Sequence, residues 1–184
     1  MMFYRFARMV ARWFMIIFKG MKVEGLENVP KSGPYLVVAN HESYFDPVAI
    51  GCALPHQVYF MAKKELFDIP GFGLLLKKLG AFPVKRNEVD LTAVKTALKY
   101  LKEGKVVGIF PEGTRLKTLG EFHEGAAALA LKASVPILPV GLKNTRGFKR
   151  CKVVIGKIIN ELPYDKNELE KGARFLREKV KELL

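Results

Sequence analysis

A chain of 184 residues with 49% hydrophobic side chains can bury one full core, which excludes a disordered or low-complexity protein. Lys and Arg number 31 against 18 Asp and Glu, a formal charge of +13 that turns the surface toward anionic partners: phospholipid, nucleic acid or an acidic carrier protein. Cys52 and Cys151 stand far apart and outside any Cys-x-x-Cys pattern. That excludes a disulfide framework, and they read as buried apolar residues in a reducing compartment.

Residues 1–19 carry no acidic side chain. On a helical wheel Arg5, Arg8, Arg12 and Lys19 fall within roughly 60° of one another, with Phe3, Phe6, Val10, Trp13, Phe14 and Ile17 opposite. The pattern predicts an interfacial membrane-binding helix over 1–20, its apolar face among acyl chains and its cations at lipid phosphates. A plain amphipathic helix packed on the domain remains the competing reading. Arginines interrupt the apolar stretch, which argues against a signal peptide and against a spanning helix.

Residues 21–184 read as one α/β domain. A short edge strand over 21–26 precedes the turn cluster of 28–34. Tyr35 to Ala39 is a buried strand, and a helix follows from Pro47 to about Ala53, with Asp46 as its cap. Val58 to Ala62 is the next strand. Leu66 to Leu79 is apolar but interrupted by Pro70, Gly71 and Gly73, so it reads as a broken helix: a core element, or a second lipid-facing one. A short strand over 80–86 ends in Lys85 and Arg86. Asp90 caps a helix with Leu91, Val94, Leu98 and Leu101 on one face. Lys105 to Phe110 is a buried strand, and Glu124 to Ser134 an Ala-rich helix. Val135 to Leu142 is an apolar strand broken by Pro136 and Pro139. Residues 151–155 and 158–159 are strand material. Asp165 with Glu168 resembles a capping box opening a final helix that buries Leu169, Ala173, Leu176, Val180 and Leu183. Alternating strands and helices predict a mostly parallel central sheet flanked by helices.

His41 follows the strand at 35–39 directly, at the edge where α/β proteins bind ligands. On a continuous helix His41 and Asp46 would be offset by about 140°, but across a strand end, a turn and a cap they can meet. A carboxylate on one imidazole nitrogen leaves the other able to take a proton. Two further strand ends carry charge: Lys85-Arg86, and Glu112-Gly113-Thr114-Arg115. In a parallel sheet both face the same edge as His41. Arg clamps phosphate bidentately, and Thr114 and the Gly113 N–H can add donors, so a phosphate-bearing substrate fits. No Gly-x-Ser-x-Gly elbow and no Gly-x-x-x-x-Gly-Lys-Ser/Thr loop occurs, which argues against a serine acyl-enzyme and against NTP hydrolysis. A non-catalytic basic module for lipid or nucleic acid explains the charge and the amphipathic start. It does not explain His41, Asp46 and the 112–115 loop together.

In four ordered blocks the chain resembles the glycerolipid acyltransferase family. His41-Glu42-Ser43-Tyr44-Phe45-Asp46 matches the family's His-x-x-x-x-Asp motif. Gly80 to Arg86 matches the block ending in a phosphate-binding arginine, Phe110 to Arg115 the third block, and Val135 to Val140 the proline-containing fourth. The resemblance implies acyl transfer from an acyl carrier protein or coenzyme A thioester to the 2-hydroxyl of lysophosphatidic acid, or to a related acceptor such as glycerol 3-phosphate, at the cytoplasmic face of a phospholipid membrane. It implies His41 as general base oriented by Asp46, with Lys85, Arg86, Gly113, Thr114 and Arg115 on the glycerol phosphate and Glu112 ordering those cations or a glycerol hydroxyl. It also implies no metal or cofactor, and no nucleic acid partner. Residues 66–79 are expected to form a wall of the acyl slot.

Overall fold

The computed structural model describes residues 2–85, 90–147 and 150–184. In chain order the elements are α1 (Met2–Lys19), β1 (Lys22–Glu24), β2 (Tyr35–Ala39), α2 (Asp46–Ala53), β3 (Val58–Lys63), α3 (Phe72–Leu79), β4 (Phe82–Val84), α4 (Leu91–Lys102), β5 (Val106–Ile109), α5 (Glu124–Ala133), β6 (Ile137–Lys143), β7 (Lys152–Ile155) and α6 (Leu169–Lys181). The strands form one sheet in the order β1-β7-β6-β2-β5-β3-β4. Neighbours run parallel except β6 and β7. The carboxyl ends of β2, β3, β4, β5 and β6 therefore share one edge.

β2 is buried at all five positions, as expected of a central strand covered on both faces. Its side chains alternate between two cores. Tyr35, Val37 and Ala39 join Met15 of α1 and Ala49, Ile50 and Cys52 of α2. Leu36 and Val38 join Ala97 and Leu101 of α4, Ala127 of α5, and Leu176 and Val180 of α6.

Readings for α4, β6 and α6 change. Leu91 is 64% exposed, but Leu101 is buried and Val94 and Leu98 pack against the same core part-buried, with Ala93 and Ala97 buried between them. Asp90 does cap α4, accepting from the N–H groups of Thr92 and Ala93. β6 runs unbroken through Pro139, whose carbonyl accepts from Gly156 N–H just where β7 ends, so its missing donor interrupts no ladder. The final helix begins at Leu169 rather than Asp165. Asp165 accepts from Asn167 N–H and Glu168 pairs with Lys171, so no capping box forms; Leu183 lies beyond the helix, against Gly141.

The segment over 66–79 is broken as its glycines suggest: a 3-10 turn at Lys64–Phe67, then α3. A Cβ on Gly73 would come within 2.2 Å of the Phe67 carbonyl, so the chain doubles back there only with glycine. Ile69, Phe72, Leu74 and Leu75 are exposed.

α1 is a helix, but its two faces are placed differently from the reading above. Arg8 and Arg12, expected at lipid phosphates, donate to the carbonyls of Pro55 and Cys52 at the end of α2. Lys19 is buried. Arg8 and Arg12 thus lie on the docking side, because α2's terminal carbonyls offer acceptors at its partial negative end, while Arg5 of the same stripe is exposed. Phe6, Met9, Val10, Trp13, Ile17 and Phe18 face outward and are exposed, and Phe3 and Phe14 are exposed beside them, Phe3 under the Lys78 ammonium and Phe14 stacked on Phe45. Among the described residues no helix is long and apolar enough to cross a membrane.

Candidate active site

His41 has the same parity as Tyr35, Val37 and Ala39, so it leaves β2 toward the face covered by α1 and α2. Its Nδ1 lies 2.7 Å from Asp46 Oδ2, both side chains being buried. Asp46 is the first residue of α2, and Phe45 occupies the cap position. The carboxylate was expected to accept from the helix's free N–H groups. It accepts instead from the N–H groups of Glu42 (2.6 Å) and Ser43 (2.8 Å) in the preceding turn. The turn thereby curls round the carboxylate and carries it back to the histidine. Two backbone N–H groups and the imidazole thus converge on Oδ2. With Nδ1 turned to that acceptor, Nε2 is the ring nitrogen left to face a substrate.

An aromatic stack fixes the ring's plane. His41 lies on Phe110 with centroids 4.1 Å apart, and Phe110 on Phe60 at 5.4 Å. Phe60 in turn sits over Gly108, where a Cβ would come within 2.2 Å of the ring. Asn40 bonds both the N–H and the carbonyl of Leu142, tying the end of β2 to β6.

The loop after β5 wraps the same edge. Glu112 is buried and accepts from the N–H groups of His41 (2.9 Å) and Gly120 (3.3 Å). Both oxygens are committed to the backbone, so Glu112 braces the loop against the histidine. Burial pushes its carboxyl up, opposed by those two N–H groups. The Gly113 N–H, expected as a phosphate donor, closes a turn onto the Phe110 carbonyl; Gly113 has φ 66°, which suits glycine. Thr114 is exposed. The Arg115 guanidinium lies 3.8 Å from the centroid of Tyr44 and donates to its hydroxyl at 3.0 Å, on the same side as His41's turn. Tyr44 itself is 70% exposed. Lys85 follows β4, two strands beyond β5, and its N–H donates to Asp90. Arg86 lies outside the described residues. A cavity of about 270 Å³ opens beside His41 and Glu112, bordered by Leu116, Lys117, Lys143 and Asn144. Its border mixes charges of both signs, Lys117 and Lys143 with Glu42 and Glu112, with leucine side chains.

A family model described as Acyltransferase matches residues 20–143. The chain belongs to the acyltransferase family. Over 191 residues this acyltransferase is 31% identical to the 1-acyl-sn-glycerol-3-phosphate acyltransferase of Bacillus subtilis, covering 98% of this chain and 96% of that one. It is 37% identical over 130 residues to the chloroplastic 1-acyl-sn-glycerol-3-phosphate acyltransferase BAT2 of Brassica napus, which spans 67% of this chain but 37% of the plant enzyme. In structure it is similar to the 1-acyl-sn-glycerophosphate (LPA) acyltransferase PlsC of Thermotoga maritima, with a TM-score of 0.76, 28% identity, and coverage of 98% of this chain and 80% of that chain.

The acyltransferase also recruits residues that the sequence reading passed over. Phe60 carries no local signal beyond belonging to an apolar strand, and Phe110, though it opens the third block, carries none that it stacks on His41. Thr145, which reaches Asp46, lies 99 positions away from it, and no pattern along the chain connects them. The Lys19 ammonium sits 4.8 Å from the centroid of Phe45, so the end of α1 abuts the residue before the buried carboxylate.

Proposed function

We propose that the protein transfers a fatty acyl group from an acyl thioester to the 2-hydroxyl of 1-acyl-sn-glycerol-3-phosphate, giving phosphatidic acid. The observation that carries the proposal is the contact between His41 Nδ1 and the buried Asp46 carboxylate at 2.7 Å, at the edge that also bears Arg115. The names of the relatives supply the substrate class.

His41 Nε2 takes the proton of the acceptor hydroxyl as its oxygen attacks the thioester carbonyl. Asp46 stabilises the imidazolium that forms. The tetrahedral intermediate collapses, the C–S bond breaks, and the thiolate leaves with the proton from His41. One ester and one thiol result, with no acyl-enzyme. Arg115, Thr114, Lys85 and Arg86 hold the phosphate of the acceptor, while Glu112 keeps the loop that carries Arg115 against the histidine. The donor is a thioester of acyl carrier protein or coenzyme A, and the steps use only side chains and the two substrates.

The outward apolar face of α1, with Phe72, Leu74 and Leu75 of α3, lies in the acyl region of a phospholipid membrane, where the acceptor resides. The working location is the cytoplasmic face. Buried, unpaired Cys52 and Cys151 fit its reducing conditions.

The test is mass spectrometry of products formed from mixed acyl thioesters and acceptors in vesicles. Phosphatidic acid formed from lysophosphatidic acid ahead of glycerol 3-phosphate or other lysophospholipids is the expected outcome. No transfer from any thioester removes the proposal.

A further inference from the structure

The two oxygens of Asp46 are treated differently. Oδ2 receives His41 and two backbone N–H groups. Among the described residues Oδ1 receives the hydroxyl of Thr145 alone. Thr145 is fully buried in the loop after β6, and each of its polar atoms is engaged. The N–H donates to Glu42 Oε2 at 3.3 Å, and the hydroxyl lies 3.3 Å from the same oxygen. The carbonyl accepts from the buried ammonium of Lys19 at 3.0 Å, and the Gly147 carbonyl accepts from it too. The hydroxyl thus lies between two carboxylates, Asp46 and Glu42, and it is the one side-chain donor among the described residues that reaches Asp46 Oδ1.

We infer that Thr145 is a positioning residue for acyl transfer: its hydroxyl fixes the plane of the Asp46 carboxylate, and Lys19 at the end of α1 holds the Thr145 backbone in place. The torsion that swings an Asp carboxylate is broad, so a single-sided set of bonds on Oδ2 does not lock it. A donor on Oδ1 does, and it also satisfies an acceptor with no access to water. The inference rests on the function proposed above. It adds a third element, β6, to a dyad otherwise built from the turn between β2 and α2. It also joins that dyad to the helix whose apolar face looks outward.

The experiment compares Thr145→Ser, Thr145→Ala and Thr145→Val in full-length protein, with lysophosphatidic acid in phosphatidylglycerol vesicles and an acyl-coenzyme A donor. Assays run at a temperature where melting curves show every variant folded. Ser and Ala differ by the hydroxyl alone, so their contrast reads the hydrogen bond even where Val disturbs packing. Ser keeps kcat within about threefold, and Ala and Val lower it about 10- to 100-fold, the size of effect that outer partners of site residues have elsewhere, with both KM values unchanged. The acid limb of the kcat–pH profile moves up in the Ala variant and not in the Ser variant, because a carboxylate short of one donor is a stronger partner for the imidazolium. The titratable groups around Asp46 are His41, Glu42, Glu112, Cys151 and Lys19, and all are kept. Equal kcat and equal profiles for Ser and Ala overturn the inference, as does a loss confined to KM. His41→Ala run in parallel separates the two failures. Retained turnover there removes the dyad itself, whereas lost turnover with Ser equal to Ala removes only the role of Thr145.

Discussion

At the scale of single residues, the site is a histidine sandwiched between a carboxylate and an aromatic ring. Replacing His41 by Ala is expected to lower kcat by about 10³-fold or more, since in the proposed mechanism it removes both the base and its pairing with Asp46. Asp46→Asn keeps the shape but can present an N–H to the ring, reversing the tautomer, and is expected to cost about 10⁴-fold. Thiol release from the donor measures both, with vesicle sedimentation unchanged. Arg115 is preset by its stack on Tyr44, so its guanidinium loses little freedom on meeting a phosphate. Arg115→Ala should raise KM for lysophosphatidic acid about tenfold and leave KM for the thioester alone, a split that initial-rate kinetics at varied concentrations of each substrate reads directly. A rise confined to the thioester would remove Arg115 from the acceptor's phosphate. His41 and Asp46 were legible as a pair because a turn of four residues joins them. Tyr44 was legible only as part of the motif: nothing in its neighbours along the chain says which distant cation it meets.

At the scale of elements, α1 is where sequence and structure part most instructively. Periodicity separated its two faces correctly, but a helical wheel carries no information on which face the domain claims. The carbonyls at the end of α2 claim Arg8 and Arg12, and the aromatic face is left over. The two stripes therefore have separable effects. Phe6→Glu with Trp13→Glu, both at outward positions, should abolish sedimentation with anionic vesicles while leaving the melting temperature within a few degrees. Arg8→Gln with Arg12→Gln should lower the melting temperature and leave vesicle binding largely intact. The opposite pattern would mean that the cations face lipid after all. β5 and β3 make a second case. Gly108 reads in sequence as a mere weakness in a strand, yet it is the gap that admits Phe60 beneath Phe110 and His41. Gly108→Ala should cost about 1–3 kcal/mol in urea unfolding by forcing that stack upward, and should reduce kcat with it. Capping was legible for α4, where Asp90 acts on its own helix, and misleading for α6, where Asp165 and Glu168 both had closer partners.

At the scale of the whole molecule, the alternation of strands and helices predicted a mostly parallel sheet, and the sheet has that form, with β1 and β7 running opposite to the other five strands. Strand order was not legible, since hydropathy says that a strand is central without saying beside which other. Two buried thiols give the fold a pH response. Burial pushes Cys52 and Cys151 up from 9.0 to about 11. Between those values the unfolded chain sheds thiol protons that the folded chain retains, so stability falls as pH rises from 9 toward 11 and levels off above. Each thiol contributes at most about 1.4 kcal/mol per pH unit across that window. Tyr4 and Tyr35 are also pushed up by burial and steepen the alkaline side further. Urea titrations at pH 8 and 10.5 should show a smaller difference for Cys52→Ala with Cys151→Ala than for the parent chain; an equal difference would assign the alkaline loss to other groups. The outward array on α1, from Phe3 to Phe18, has one more practical result. Stripped of any amphiphile, copies of the molecule would find each other's sticky flanks and cluster. A preparation kept in mild detergent should elute from a sizing column as one narrow peak, and one dialysed free of it should run near the void.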